Sequence, residues 1–120
     1  EGQIWEAAMF AAQQKLSNLI AFTDYNKAQL DGYVSDICGL GNLKAKWESF
    51  GWQTYEIDGH DYDLILRTVQ EAKTADGPVM ILLDTVKGKG FSMAEALGYE
   101  NHGMTIGDKE LEQARKELAE

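Results

Sequence analysis

Apolar and polar positions along the chain change their period several times, and each change marks an element. Residues 1–16 are rich in Ala, Gln and Met with Gly2 as the only breaker, which predicts a helix. Its apolar positions Ile4, Trp5, Ala7, Ala8, Phe10, Ala11 and Ala12 cover more than one face, so burial on two sides is expected. Residues 19–22 form a short apolar run, and polar residues follow at once from Thr23 to Asn26. That reads as a buried parallel strand opening into a loop. Residues 27–42 hold Gly32, Gly39 and Gly41 and no long period, so they are expected to be mainly loop.

Asn42 stands where it can cap a helix over residues 43–50, which Gly51 ends. Residues 52–57 alternate apolar and polar and predict a second strand, followed by the turn Asp58-Gly59-His60-Asp61. Asp61 is a suitable N-cap for a helix over 62–73, whose apolar positions Leu64, Ile65, Val69 and Ala72 recur at helical spacing. Asp76-Gly77-Pro78 stops it. Residues 79–86 are almost wholly apolar apart from Asp84 and Thr85, as a central strand should be. A glycine-bearing loop at 87–90 and a charged helix over 108–120 complete the chain. Such alternation predicts an α/β fold, a doubly wound parallel sheet with helices on both faces and right-handed crossovers.

Composition narrows the function. The 120 residues fit one domain, and 44% hydrophobic with 26% charged residues is ordinary for a soluble globular protein. A net charge of -9, from 20 acidic and 11 basic residues, argues against a nucleic-acid partner. An acidic protein that holds a phosphorylated ligand does so through a divalent cation and backbone N–H groups. Cys38 is the single cysteine, which excludes an internal disulfide and favours a reducing compartment. No apolar run approaches the roughly 18 residues of a membrane span, so a cytoplasmic location without membrane partners is expected. The chain opens at Glu1 without Met and enters a helical pattern at once, so further sequence is expected upstream.

Three polar clusters directly follow the three predicted strands, and the rule for such sheets places ligands at the carboxyl ends of strands. The first runs from Asp24 to Gly32, the second is Asp58-Gly59-His60-Asp61, and the third is Lys87-Gly88-Lys89-Gly90 with His102-Gly103 a little further on. Asp24, the Asn26 amide oxygen and nearby backbone carbonyls suit a hard cation, although Asn- and Asp-rich turns commonly serve only the backbone. His60 reads best as a surface loop residue within a turn and cap. His102 could hydrogen-bond a phosphate or a substrate hydroxyl. The KGKG loop matches neither a dinucleotide fingerprint nor a P-loop, and Cys38 lacks the neighbours of a nucleophile.

Taken as an ordered set, these motifs resemble the transketolase family. Glu1-Gly2-Gln3-Ile4-Trp5-Glu6-Ala7 is similar to the helix that follows the Gly-Asp-Gly turn of its thiamine-diphosphate-binding domain. Leu19 to Asn26, continuing through Gln29-Leu30-Asp31-Gly32, resembles the second half of the metal-binding motif. Phe50-Gly51-Trp52, Glu56 to Asp61, Thr85 to Gly90 and His102-Gly103 then appear in the family's order, so the likeness runs from Glu1 to about Gly103.

The resemblance implies thiamine diphosphate and Mg²⁺ as cofactors, with Ca²⁺ as an alternative ion. Asn26 would be a Mg²⁺ ligand through its side-chain oxygen and Ala28 through its backbone carbonyl. Leu30 would line the apolar wall beside the thiazolium, and Asp24 would support the metal loop. His102 would contact the diphosphate or the sugar's hydroxyl end, and Glu1 would belong to the cofactor loop. The implied reaction is transfer of a two-carbon ketol unit between sugar phosphates. Residues 1–120 would be the C-terminal part of the diphosphate-side domain, inactive alone, since the Gly-Asp-Gly turn and the pyrimidine-binding domain or subunit lie outside them. The intact enzyme would be a homodimer or heterotetramer. Deoxyxylulose-phosphate synthase, which shares DGHD and KGKG-like motifs, another thiamine-diphosphate enzyme domain, and a non-catalytic α/β binding domain are the alternatives.

Overall fold

Val79, Met80, Ile81 and Leu82 are each no more than 3% exposed, and this apolar run is the middle of the sheet. In a computed structural model that describes residues 1–119, it belongs to strand β5 (Val79–Asp84). On one side β5 pairs in parallel with β1 (Ile20–Tyr25), and on the other with β4 (Gln53–Asp58). A strand covered on both faces needs no polar alternation, which is why a continuous apolar run folds this way. Val79 and Ile81 form a core with Ala72, against which Ile20, Tyr55, Ile57, Val69 and Leu83 pack. The class is the α/β one expected, a parallel sheet flanked by helices.

The chain divides into two units, and the sheet lies in the first, made of 1–25 and 41–84. Helix α1 (Gly2–Gln13) opens it. Helix α3 (Leu43–Ser49) starts where the Asn42 side chain accepts the Ala45 N–H at 2.9 Å, a cap that contributes about 1 kcal/mol. Helix α4 (Tyr62–Ala72) is capped in the same manner by Asp61, whose carboxylate accepts from Leu64 N at 2.9 Å. Both caps are as the sequence predicts. Trp5, Trp47 and Trp52 join α1 and α3 to the strand entrance, with centroids 5.3 Å apart for Trp5–Trp47 and 5.0 Å for Trp47–Trp52. Within this cluster the Trp52 Nε1–H donates to the Ala8 carbonyl at 2.9 Å.

The second unit, 26–40 and 85–119 of the described residues, is built from short elements. A two-residue ladder joins β2 (Ala28–Gln29) to β3 (Gly32–Tyr33) in antiparallel fashion. The short helix α2 (Val34–Ile37) follows. After β5 come α5 (Ser92–Leu97), a 3₁₀ segment (Gly98–Gly103) and α6 (Asp108–Glu117).

Several expectations need correction. Helix α1 buries only Ala8 and Ala11, while Ile4, Met9 and Phe10 are about half exposed or more, so it is covered on one side and not on two. Strand β1 does not end at Phe22 but continues through Thr23, Asp24 and Tyr25, in register with β5 up to Asp84. It is an edge of the sheet among the described residues, and Phe22 is half exposed where a buried strand was expected. The segment 27–42 contains the β2–β3 ladder and α2 in addition to loop. Strand β5 stops at Asp84, two residues early, and no periodic pattern announces α5. The last residue of the expected 108–120 helix, Glu120, lies outside the described residues.

Candidate functional site

The three strands run parallel and in register, with Tyr25 and Asp58 both opposite Asp84, so their carboxyl ends finish at one edge. At that edge the Asp58-Gly59-His60-Asp61 turn is tied to the sheet by Gly59 N–H donating to the Asp84 carbonyl at 2.8 Å. Asp58 accepts the His60 N–H at 2.8 Å, an Asx turn leading into the Asp61 cap. This cluster does the structural work expected of it. In the same unit, a cavity of about 280 Å³ lined by Tyr25, Asn42, Lys44 and Glu56 among others holds none of the expected site residues.

After β1 the chain enters the second unit through Asn26. Its side-chain oxygen accepts the Ala28 N–H at 2.9 Å, closing an Asx turn around Lys27. Lys27 has φ +59 and Leu30 φ +40, left-handed values that non-glycine residues seldom adopt and that cost of order 1 kcal/mol or more each. Two such residues on either side of Ala28 and Gln29 bend the backbone tightly. Asn26 and Ala28 are half-buried, and Leu30 is 59% exposed, a large apolar side chain facing solvent.

The chain leaving β5 also enters this unit, and here Gly88 and Asn101 set the geometry. Gly88 has φ +80, and a Cβ there would stand 2.6 Å from the Ala94 Cβ and 3.2 Å from its carbonyl carbon. Only glycine fits so close an approach. Asn101 Nδ2 donates to the Ala94 carbonyl at 2.9 Å and to the Lys87 carbonyl at 3.4 Å, fastening the glycine loop to the 3₁₀ segment. His102 follows directly, exposed, with Lys87 Nζ 3.3 Å from its Nδ1. Both strands of the β2–β3 ladder pack on the same 3₁₀ segment, and Tyr33 meets Tyr99 edge to face with centroids 5.1 Å apart. Gly98, at φ +56, has the Tyr33 hydroxyl 3.0 Å from where a Cβ would lie.

The second unit therefore brings together the Asn26–Leu30 turn and the His102 segment. Asp24, exposed on β1 opposite Leu83, and Glu1, which precedes α1 without a side-chain cap bond, belong to the first unit. Sequence reasoning missed Asn101 and the pairing of Lys87 with His102. The side-chain amide beside His102 was the one available signal. It also missed the outer support of the glycine loop, where Glu117 accepts from Ser92 N and from Ser92 Oγ, both at 2.7 Å. Hydrogen bonds from Gln113 first, then from Ser92, hold the Glu117 carboxyl below the usual carboxylate range.

The donors at Asn26 and Ala28 are neutral, hard oxygens, the class that Mg²⁺ prefers. An amide oxygen has two lone pairs, and the Ala28 N–H uses one, so Asn26 retains acceptor capacity for a cation. Among the described residues no group of three or more His, Cys, Asp and Glu could hold a metal. The turn thus offers two oxygens of the class that suits part of a Mg²⁺ shell.

Comparison with known proteins gives the family. The family described as "Transketolase, thiamine diphosphate binding domain" matches residues 1–119. The chain belongs to the transketolase family. It is 51% identical to the 6-deoxy-6-sulfo-D-fructose transketolase subunit SqwG of a Clostridium strain, over 98% of this chain and 43% of that protein. It is 40% identical to an apulose-4-phosphate transketolase subunit of Actinobacillus succinogenes, over 98% of this chain and 42% of that one. Among solved structures, the transketolase of Campylobacter jejuni superposes with a TM-score of 0.88 at 28% identity, covering 99% of this transketolase-family chain and 18% of that enzyme. The chain thus spans less than half the length of these relatives. No helix among its described residues is long and apolar enough to cross a membrane.

Proposed function

We propose that this chain is the diphosphate-side part of a transketolase that moves a two-carbon ketol unit from a ketose to an aldehyde with thiamine diphosphate and Mg²⁺. In the reaction the donor's bond between its second and third carbons breaks, and the two-carbon unit joins the acceptor's aldehyde carbon. Thiamine diphosphate supplies the electron sink that holds the transferred unit's negative charge. The chain's own residues bind and orient. Asn26 would offer its amide oxygen and Ala28 its backbone carbonyl to Mg²⁺. Leu30, exposed and held at positive φ, offers an apolar wall beside the cofactor ring. By the family resemblance Asp24 would support the metal loop, Glu1 would belong to the cofactor loop, and His102 would present a ring N–H to a phosphate or sugar oxygen.

Two relatives are named as subunits, which supports a partner that carries the pyrimidine-binding half and the acid that activates the cofactor. The observation that carries the reading is the 51% identity to SqwG over nearly the whole chain. It also favours a ketose whose terminal group is a sulfonate, with the sugar phosphates of the wider family as the second class.

The test is a transfer assay on the full-length protein with its pyrimidine-side partner, thiamine diphosphate and Mg²⁺. Aldehyde release and ketol transfer from a sulfonated ketose, faster than from the phosphorylated ketose, supports the sulfonate class. Preference for the phosphorylated donor moves the assignment to the sugar-phosphate class. Release of CO₂ from pyruvate without ketol transfer would favour the deoxyxylulose-phosphate synthase alternative, and no cofactor binding would favour a binding domain.

A further inference from the structure

Lys87 and His102 come from two segments that the fold goes to some length to hold together. Gly88 leaves no room for a side chain against Ala94, and Asn101 reaches both the Ala94 and Lys87 carbonyls, so the backbone on each side of the pair is fixed. Within that frame Lys87 Nζ stands 3.3 Å from His102 Nδ1. An ammonium group has three donors and no acceptor, so this contact requires Nδ1 to be the accepting nitrogen. In the neutral ring the proton then sits on Nε2, because the hydrogen bond made by one ring nitrogen sets the state of the other.

We infer that Lys87 is a positioning residue for His102, holding its imidazole in the Nε2–H tautomer so that the ring can only donate to a ligand from Nε2. This rests on the reading of His102 as a site residue. An oxygen of a diphosphate or of a sugar hydroxyl is matched by such a donor. A ring free to carry its proton on Nδ1 would present a lone pair to the same oxygen. The ammonium also places positive charge beside the ring, which favours an anionic ligand on a chain whose net charge is -9. Lysine in a glycine loop reads as a solvated turn residue by sequence, and only the fold gives it this neighbour.

The chain has two histidines, His60 and His102, which makes the direct experiment a nitrogen NMR spectrum of the imidazole rings at a pH where they are neutral. In the wild type, His102 is expected to show a protonated Nε2 and a hydrogen-bonded, unprotonated Nδ1. Lys87→Met should move the two His102 nitrogens towards each other, as both tautomers become populated, while His60 stays unchanged and reports an intact fold. Lys87→Arg, which keeps a cationic donor, should retain the wild-type pattern. Unchanged His102 signals in Lys87→Met, or a wild-type ring protonated on Nδ1, overturn the inference.

The second arm uses ketol transfer by the full-length protein with its partner. Lys87→Met should lower the rate about tenfold and add nothing in a His102→Gln background, as expected of two residues acting as one unit. A Lys87→Met loss that persists undiminished beside His102→Gln overturns the positioning role. A His102→Gln variant of full activity removes both the site reading of His102 and this inference. An inactive His102→Gln with unmoved signals in Lys87→Met removes the inference alone.

Discussion

A Cβ on Gly88 would lie 2.6 Å from the Cβ of Ala94, closer than non-bonded carbon atoms approach. Neither side is a flexible side-chain end, because Ala94 sits on α5 and its carbonyl is bound by Asn101. The contact must be relieved by moving backbone, and the positive φ of Gly88 adds to the strain. Gly88→Ala is therefore expected to destabilise the second unit by about 3 kcal/mol, combining overpacking with an unfavourable dihedral. Asn101→Ala should cost about 1–2 kcal/mol by leaving two carbonyls without their donor. Urea titration followed by hydrogen exchange in residues 85–103 measures both.

Trp47 and Trp52 are equally buried, at 5% exposure each, so area alone predicts equal losses on replacement by Phe. Their indole nitrogens differ. Trp52 Nε1 donates to the Ala8 carbonyl, whereas Trp47 Nε1 is buried without a partner in this structure. Replacing Trp47 removes an unsatisfied donor, and replacing Trp52 breaks a buried hydrogen bond. Trp52→Phe should be the more destabilising by about 1 kcal/mol. Paired denaturation curves check this, and a larger loss for Trp47→Phe would contradict it.

The apolar run 79–82 is covered on both faces, and Asn42 and Asp61 stand immediately before helical periods, so β5 and both caps could be read directly. Strand β1 extends past its apolar run because Thr23 and Asp24, which look like a loop, are strand residues. Edge position explains the difference, since an edge strand tolerates polar side chains that a central one would not. The β2–β3 ladder has two residues a side, too short for any period, and it depends on positive φ at Lys27 and Leu30 that no residue type announced. Of the proposed site, Asn26, Ala28, Leu30 and His102 rest on family motifs alone. The pairing of Lys87 with His102 was not, because it depends on a loop and a 3₁₀ segment fifteen residues apart.

Glu117 makes the outer face of the glycine loop sensitive to acid. Its carboxylate accepts from Gln113 and from the Ser92 hydroxyl and N–H, and these bonds favour the charged form. A carboxyl held low in the folded state contributes stability that is present above its unfolded value and lost as pH falls through the folded one. The contribution should therefore be complete at neutral pH and fade below about pH 4. Glu117→Gln should lose this acid dependence, and comparing the stability of the two proteins between neutral and acid pH tests it. Parallel pH profiles would count against the role.

In the proposed function the Asn26 turn holds the metal of a Mg²⁺–thiamine-diphosphate site. Calorimetry of thiamine diphosphate binding to the full-length protein with its partner, titrated over Mg²⁺ for wild type and Asn26→Ala, tests it most directly. The expected result is Mg²⁺-dependent binding in the wild type, weakened by on the order of tenfold or more in Asn26→Ala while the fold is kept. Equal affinity and equal Mg²⁺ dependence in the two proteins would contradict it.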